Sequence, residues 1–146
     1  MMCSIAVVGW GNPDRRDDGA GWAIVERLRQ GSPDVECHVD RLLAPESAEL
    51  LQDKEHVLFI DAEVGGEGVS LRDLTPADEF RIDLTHHLPP DHLLALCLVL
   101  YGRAPRASLL TVEAFDLSLG EGLTDECAAL IPEAVLRATG WISSLL

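Results

Sequence analysis

Residues 5–28, IAVVGWGNPDRRDDGAGWAIVERL, form the stretch that decides the fold. An apolar run over residues 5–8 meets a glycine-rich turn that begins at Gly9, and a polar loop then leads to Asp17 and Asp18. The order strand, loop and helix is the opening unit of an open α/β sheet, which binds ligands at the carboxyl ends of its strands. The helix is predicted because apolar residues recur at three- and four-residue spacing, at Ala20, Ile24, Val25 and Leu28.

The rest of the chain alternates segments with strand patterns and segments with helix patterns. The predicted strands are 35–40, 56–62, 69–74 and 109–115. Further helices are expected to begin near Pro45, at Pro90 and at Thr124, with Pro132 kinking the last helix or beginning a new one. The helix after Pro90 is apolar on nearly all sides, which predicts that it is well buried. We therefore predict a single α/β domain over residues 1–146, a three-layer α/β/α sandwich with a mainly parallel central sheet.

The charge balance limits the possible partners. The chain has 25 acidic and 11 basic residues, a formal net charge of −14. Nucleic acids and anionic membranes both require a basic surface, so we expect neither as a partner. No signal peptide or membrane-spanning stretch is evident, and the scattered cysteines favour free thiols. These features predict a cytoplasmic protein, which we expect to be a monomer.

The glycines of the first loop permit a nucleotide-binding interpretation. Gly9 and Gly11 match the first two positions of the dinucleotide fingerprint, but the third glycine position holds Asp14. Carboxylates at Asp17 and Asp18 would also repel a phosphate at the mouth of the helix. The loop therefore favours a cation, with a small nucleotide-binding protein as the weaker alternative.

Three potential metal ligands are expected at one edge of the sheet. Asp18 lies in the first loop, Asp61 ends the second buried strand, and His87 lies in the loop before the apolar helix. Two carboxylates and an imidazole can hold a divalent transition metal and leave room for further ligands. The plainer alternatives are that Asp61 caps a helix or a turn and that His87 caps the helix or has no role.

Four residues near Asp18 are expected to shape the loop or contact a substrate. Gly9 and Gly11 would let the chain turn sharply off the first strand and bring its backbone near the site. Asn12 could fix the loop through its side-chain amide, and Asp17 could cap the following helix. For Gly9, Gly11 and Asn12, turn chemistry alone and direct substrate contact both remain open.

The same loop resembles the opening motif of the hydrogenase maturation endopeptidases, which trim the C-terminal tail from the large-subunit precursor of nickel–iron hydrogenases. Gly9-Trp10-Gly11-Asn12 and Asp17-Asp18-Gly19-Ala20-Gly21 fit the pattern G-x-G-N, a spacer, then D-D/E-x-x-G. The resemblance covers the chain to about Leu123. The metal-binding residues of the family correspond to Asp18, six positions after Asn12, to Asp61, and to His87.

The resemblance implies an endopeptidase that acts on the hydrogenase large-subunit precursor after nickel insertion. Asp18, Asp61 and His87 would be both its metal ligands and its catalytic residues. The nickel would come with the substrate as the recognition element, and another divalent metal is also possible. A metal-polarised carbonyl or metal-activated water could perform the hydrolysis, or Asp18 or Asp61 could act as a general base. The alternative is a non-catalytic metal-binding or chaperone module for hydrogenase assembly.

Overall fold

The computed structural model describes residues 4–78 and 88–146. Within these ranges the strands are β1 (Ile5–Trp10), β2 (Glu36–Asp40), β3 (His56–Val64), β4 (Val69–Leu74) and β5 (Arg106–Ala114). The helices are α1 (Ala20–Gly31), α2 (Ser47–Leu51), α3 (Pro90–Tyr101), α4 (Asp125–Ala128) and α5 (Ile131–Leu145). A short 3-10 turn, Arg16–Gly19, leads from the first loop into α1.

The strands form one sheet in the order β2-β1-β3-β5-β4. β1, β2, β3 and β5 run parallel, and β4 is an antiparallel edge strand paired with β5. The chain moves outward from β1 to β2 and then returns across β1 to form β3. The strand order therefore reverses between β1 and β3, and ligands of open α/β sheets bind at such a point.

Helices cover both faces of the sheet. α1, α4 and α5 pack on one face through an apolar cluster, and α2 and α3 pack on the other face through a second cluster. This arrangement confirms the predicted three-layer α/β/α sandwich with a mainly parallel sheet. No helix in the described part of the chain is both long and apolar enough to cross a lipid bilayer.

The prediction that α3 is well buried holds for the middle of the helix but not for its C-terminal part. Residues 93–97 are buried, whereas Leu98, Val99 and Leu100 are 45%, 69% and 55% exposed. The neighbouring helix α2 has five residues and α3 has 12, so α2 is too short to cover the whole of α3.

Local chemistry sets several of the helix ends as expected. Gly102 ends α3 in the left-handed conformation, with φ +72°, and its N–H donates to the Leu98 carbonyl at 3.0 Å. The Thr124 hydroxyl accepts a hydrogen bond from the Cys127 N–H at 3.2 Å and begins α4. Pro132 stands in the first turn of α5, so it begins a new helix and does not kink a longer one.

The predicted end of the second buried strand is wrong by two residues. β3 continues to Val64, so Asp61 lies within the strand and does not end it. β1 pairs with β3 only as far as Gly9 and Ile60, whereas β5 pairs with β3 to the end of that strand. Asp61 is therefore the first residue of β3 after the last residue that pairs with β1.

Close contact between α1 and β1 requires glycine on both elements. A Cβ on Gly9 would lie 2.7 Å from Val25 Cγ2 and 3.0 Å from the Gly21 carbonyl oxygen. A Cβ on Gly21 would lie 3.1 Å from the Trp10 carbonyl oxygen of β1 and 3.0 Å from the Ile60 carbonyl oxygen of β3. Gly9 is thus part of β1 and permits close packing of the helix. It does not form the sharp turn that the sequence predicted at this position.

The variant Gly9→Ala is expected to lose about 1–3 kcal/mol of unfolding free energy, because the added methyl group overpacks the contact between α1 and β1. Gly140→Ala is a matched control, since a Cβ at Gly140 meets nothing within 4 Å and Gly140 lies inside α5. The control should gain about 0.5–1 kcal/mol from helix propensity. Urea denaturation measures both, and equal stability changes in the two variants would contradict the packing role of Gly9.

Candidate active site

A cleft of about 360 Å³ opens where β1 and β3 separate at the carboxyl edge of the sheet. It brings together Asp18, from the 3-10 turn, and Asp61, from β3, which are two of the three predicted site residues. The remaining lining residues come from the ends of β1 and β3, from the segment after β2 and from the start of α3: Trp10, Gly11, Arg41, Ala62, Leu88, Pro89 and Pro90.

The first loop holds Asp18 by its backbone. The Asn12 N–H donates to Asp18 Oδ2 at 2.7 Å. Gly11 has φ +140°, and a Cβ there would collide with the Asp18 carbonyl oxygen. Gly11 therefore provides both the sharp turn and the close approach of the loop to Asp18.

The Asn12 side chain fixes the same loop from its other side. Its Oδ1 accepts a hydrogen bond from the Asp14 N–H at 2.9 Å and another from Arg41 Nη1 at 3.1 Å. Arg41 Nη2 also lies 3.2 Å from Asp14 Oδ2, which makes an exposed ion pair. Arg41 also lines the cleft, and it was not predicted as a site residue from the sequence. Its position directly after Asp40, the last residue of β2, was the available signal, because that strand ends at the same sheet edge.

Asp61 has an unusually high affinity for a proton. Burial of its carboxyl group, together with the nearby charges of Asp18 and Glu63, raises the pKa of Asp61 from 3.8 to about 7, and a backbone hydrogen bond from Ala62 offsets only part of this rise. Near neutral pH Asp61 is therefore only partly ionised, and Asp18 and Asp61 together carry less than two negative charges. A cation between the two groups would favour release of this proton.

Asp17 is a structural anchor and makes no cap on its own helix. Its side chain is fully buried. Its carboxylate accepts hydrogen bonds from the N–H groups of Phe115, Asp116 and Thr124 at 2.8, 3.1 and 2.7 Å, and from the Thr124 hydroxyl at 2.9 Å. Burial alone would raise the pKa of Asp17, but these bonds together outweigh it and lower the pKa below 3.8. The predicted helix cap is thus replaced by a tie to the segment between β5 and α4.

The third predicted ligand, His87, lies outside the described residues, so its place in the site stays a prediction. Among residues 4–78 and 88–146, no three His, Cys, Asp or Glu side chains are grouped as metal ligands. Of the cysteines in these ranges, Cys37, Cys97 and Cys127 are free thiols, as expected. Asp18 and Asp61 can supply oxygen ligands to a divalent metal, which would need further ligands from elsewhere.

Replacement of Asp17 by alanine is expected to reduce the free energy of unfolding by about 3 kcal/mol, because three partly buried backbone N–H groups and the Thr124 hydroxyl lose their acceptor. Asp34→Ala, at an exposed turn, should change it by less than about 0.5 kcal/mol. The lowered pKa means that the Asp17 carboxylate stabilises the fold above pH 3.8 and loses this effect as the pH falls through the folded-state pKa. The difference in unfolding free energy between Asp17→Ala and the wild type should therefore become smaller in acid. Urea denaturation between pH 3 and 7 measures this difference.

The variant Asp61→Asn should be more stable than the wild type at pH 8 and nearly equal to it at pH 4. Asp61 has a folded-state pKa of about 7 against 3.8 for the free group, so its ionisation destabilises the fold as the pH rises between these values. After an allowance for solvent screening, the expected gain at pH 8 is on the order of 1–2 kcal/mol. Urea denaturation at both pH values measures it. A constant difference across this range, or the same gain in Asp34→Asn, would contradict the assignment.

Several solved structures share this fold over nearly the whole chain. The hydrogenase maturating endopeptidase HybD from E. coli has a TM-score of 0.72 and 25% identity, and the match covers 97% of this chain and 93% of that chain. An uncharacterized protein from Wolinella succinogenes has a TM-score of 0.73 and 21% identity, over 99% and 100% of the two chains. The NiFe hydrogenase maturation protease HycI from Thermococcus kodakarensis KOD1 has a TM-score of 0.69 and 24% identity, over 98% and 92%.

No protein-family model matches the chain, and no curated protein matches it in sequence. At 21% and 24% identity, the matches to the Wolinella and Thermococcus proteins show a common fold alone. The match to the E. coli endopeptidase, at 25% identity, supports the predicted enzyme class, a peptidase. The resemblance predicted from the opening motif is thereby confirmed: along nearly its whole length, the chain has the fold of the hydrogenase maturation endopeptidases.

Proposed function

We propose that this chain is an endopeptidase that removes the C-terminal extension from the large-subunit precursor of a nickel–iron hydrogenase after nickel insertion. The observation that carries the proposal is the pairing of Asp18 and Asp61 in one cleft at the point where the strand order reverses. The solved structures with this fold include hydrogenase maturation proteases, which supports the reaction class proposed here. The proposed compartment is the cytoplasm.

The two carboxylates suit a metal that arrives with the substrate. A pair of oxygen ligands completes only part of the coordination sphere of a transition metal. An ion already held by ligands of the precursor could bind Asp18 and Asp61 and, by our proposal, His87. In this arrangement the nickel is part of the substrate and marks a precursor that is ready for cleavage.

Asp18 is the preorganised member of the pair. The hydrogen bond from the Asn12 N–H occupies Oδ2 and orients the carboxyl group, so Oδ1 is the oxygen better placed to face a cation or a substrate. Its position depends on Gly11 and on the anchor at Asp17, since both fix the turn that carries it. Loss of its charge should weaken recognition of the metal-loaded precursor.

Asp61 is the member that exchanges a proton. With a pKa of about 7, it can lose its proton when a cation enters the cleft, and it is then available as a metal ligand or as a general base toward water. A base whose pKa lies near the working pH is well suited to proton transfer. Metal binding would polarise the scissile carbonyl or activate a water, and Asp61 would orient or deprotonate the attacking group.

Processing of a cognate precursor tests the proposal directly. The purified chain is mixed with the large-subunit precursor from the same cell, with and without nickel, and the products are followed by mass spectrometry. We expect release of a C-terminal fragment from the nickel-loaded precursor only. Asp18→Asn, Asp61→Asn and His87→Ala should each lower the rate by about 100-fold or more.

Two control variants separate loss of chemistry from loss of structure. Asp34→Asn changes an exposed acid in a turn, and His56→Gln changes a histidine at the amino end of β3, so both should keep wild-type rates. Tight binding of the loaded precursor without cleavage would favour the non-catalytic chaperone. Unchanged rates in all three site variants would retain the activity but reject this site.

A further inference from the structure

Arg41 gives the cleft a positive charge beside its two acids. Of the described residues that line the cleft, Arg41 is the only one with a positive charge. Hydrolysis of a peptide bond places negative charge on an oxygen of the substrate, and the carboxylates of Asp18 and Asp61 would repel that charge. Arg41 is therefore the described cleft residue best suited to offset it.

Two hydrogen bonds orient the Arg41 guanidinium. Nη1 donates to Asn12 Oδ1 at 3.1 Å, and Nη2 donates to Asp14 Oδ2 at 3.2 Å. The main chain of Arg41 is fixed as well, because its N–H donates to Asp40 Oδ1 at 2.7 Å. A guanidinium has five N–H donors, and the two side-chain bonds use two of them. Three donors on an oriented, planar group therefore remain, and the side chain is 58% exposed, so a ligand can reach it.

The cleft acids do not neutralise Arg41. In the part of the chain that the structure describes, the one ion pair of Arg41 is with Asp14, which does not line the cleft. Asp18 instead accepts a hydrogen bond from the Asn12 N–H at 2.7 Å. Partners in the first loop thus hold both the guanidinium and Asp18. The carboxylates of Asp18 and Asp61 stay available for a metal, and the guanidinium stays available for an oxygen of the substrate.

The backbone around the cleft supplies few alternative donors. The Gly11 N–H already donates to the Asp40 carbonyl at 3.1 Å. Pro89 and Pro90, which line the opposite side of the cleft from the first loop in sequence, have no N–H. Backbone N–H groups commonly stabilise the oxyanion in acyl transfer. Where such groups are engaged or missing, a charged side chain such as Arg41 can take this role.

We propose that Arg41 donates to the carbonyl oxygen of the scissile peptide bond and stabilises the negative charge that develops on this oxygen during cleavage. The inference rests on the proposed function for the reaction and the partner. In the cleavage step the oxygen of a water bonds to the carbonyl carbon, the C–N bond breaks, and both protons of the water pass to the leaving nitrogen. The products are a protonated amine and a carboxylate, which Arg41 can hold with two donors.

Steady-state processing of the nickel-loaded precursor measures this role. Arg41→Gln should lower kcat by about 100-fold or more and change KM by less than about threefold, because the lost interaction forms mainly in the transition state. Arg41→Lys keeps the charge but loses the planar fork, so its kcat should lie between the two. Arg27→Gln, at an exposed position on α1, is the matched control and should keep the wild-type kcat.

Rescue by guanidinium ion distinguishes contact with the substrate from support of the first loop. A sub-denaturing concentration of guanidinium chloride should raise kcat of Arg41→Ala about 10-fold, because the free ion can occupy the vacated position. Sodium chloride at equal ionic strength should not raise it, and Asp18→Asn should not respond to either salt. The urea midpoint of Arg41→Ala should match that of the wild type. A folded Arg41→Ala protein that guanidinium does not rescue would overturn the contact with the substrate.

The wild-type reaction separates failure of this inference from failure of the proposed function. Cleavage by the wild type with an unchanged kcat in Arg41→Gln would reject the role of Arg41 and keep the peptidase. Absence of cleavage of the nickel-loaded precursor by the wild type would reject the peptidase, and the role of Arg41 with it. Cleavage by the wild type, together with a slow Arg41→Ala protein that guanidinium rescues, would support both.

Discussion

The buried carboxylate of Asp17 is the interaction on which the rest of the active-site edge depends. It is fully buried, and it joins the first loop to the segment after β5 through three backbone N–H groups and one hydroxyl. A charge in an apolar interior is tolerated only when its hydrogen-bonding capacity is met, and here all four bonds come from distant sequence. The position of Asp18, the next residue, follows from this tie. The same contacts that stabilise the fold at this edge therefore also position the site.

For Asp61, which lies close to Asp18 in the cleft, burial has the opposite result. Asp61 lies within a strand, partly withdrawn from water and close to Asp18, and this placement raises its pKa to about 7. The side chain of Asp17 is fully shielded from solvent, but its hydrogen bonds lower its pKa. The pKa values of Asp17 and Asp61 thus shift in opposite directions, because the carboxylate of Asp17 is fully hydrogen-bonded and that of Asp61 is not. Structural and reactive carboxylates can be told apart here by counting the donors around each.

The helix ends and the position of the two acids at one edge of the sheet could be predicted from the sequence, whereas contacts between distant segments could not. Pro90, Gly102 and Thr124 mark helix ends through their own backbone preferences, and Asp18 and Asp61 share a cleft because parallel strands end at one edge. The partners of Asp17 lie about 100 residues further along the chain, and nothing in its neighbourhood indicates them. The exposed C-terminal part of α3 was not predicted for a similar reason, since an apolar pattern does not reveal how long the covering helix is.

The close contact of Gly9 with Gly21 also restricts how the loop between β1 and α1 can change length. β1 holds one end of this loop, and the glycine contact holds the other end against the sheet, while the Asn12 N–H must still reach Asp18. An inserted or deleted residue would have to lift α1 from β1 or move Asp18 out of the cleft. The turn at residues 65–68 lacks a glycine packing contact of this kind at its two ends, because a Cβ on Gly65 or Gly68 would meet nothing within 4 Å. Among descendants of this chain, length variation should therefore accumulate at that turn, while the spacing from Asn12 to Asp18 persists.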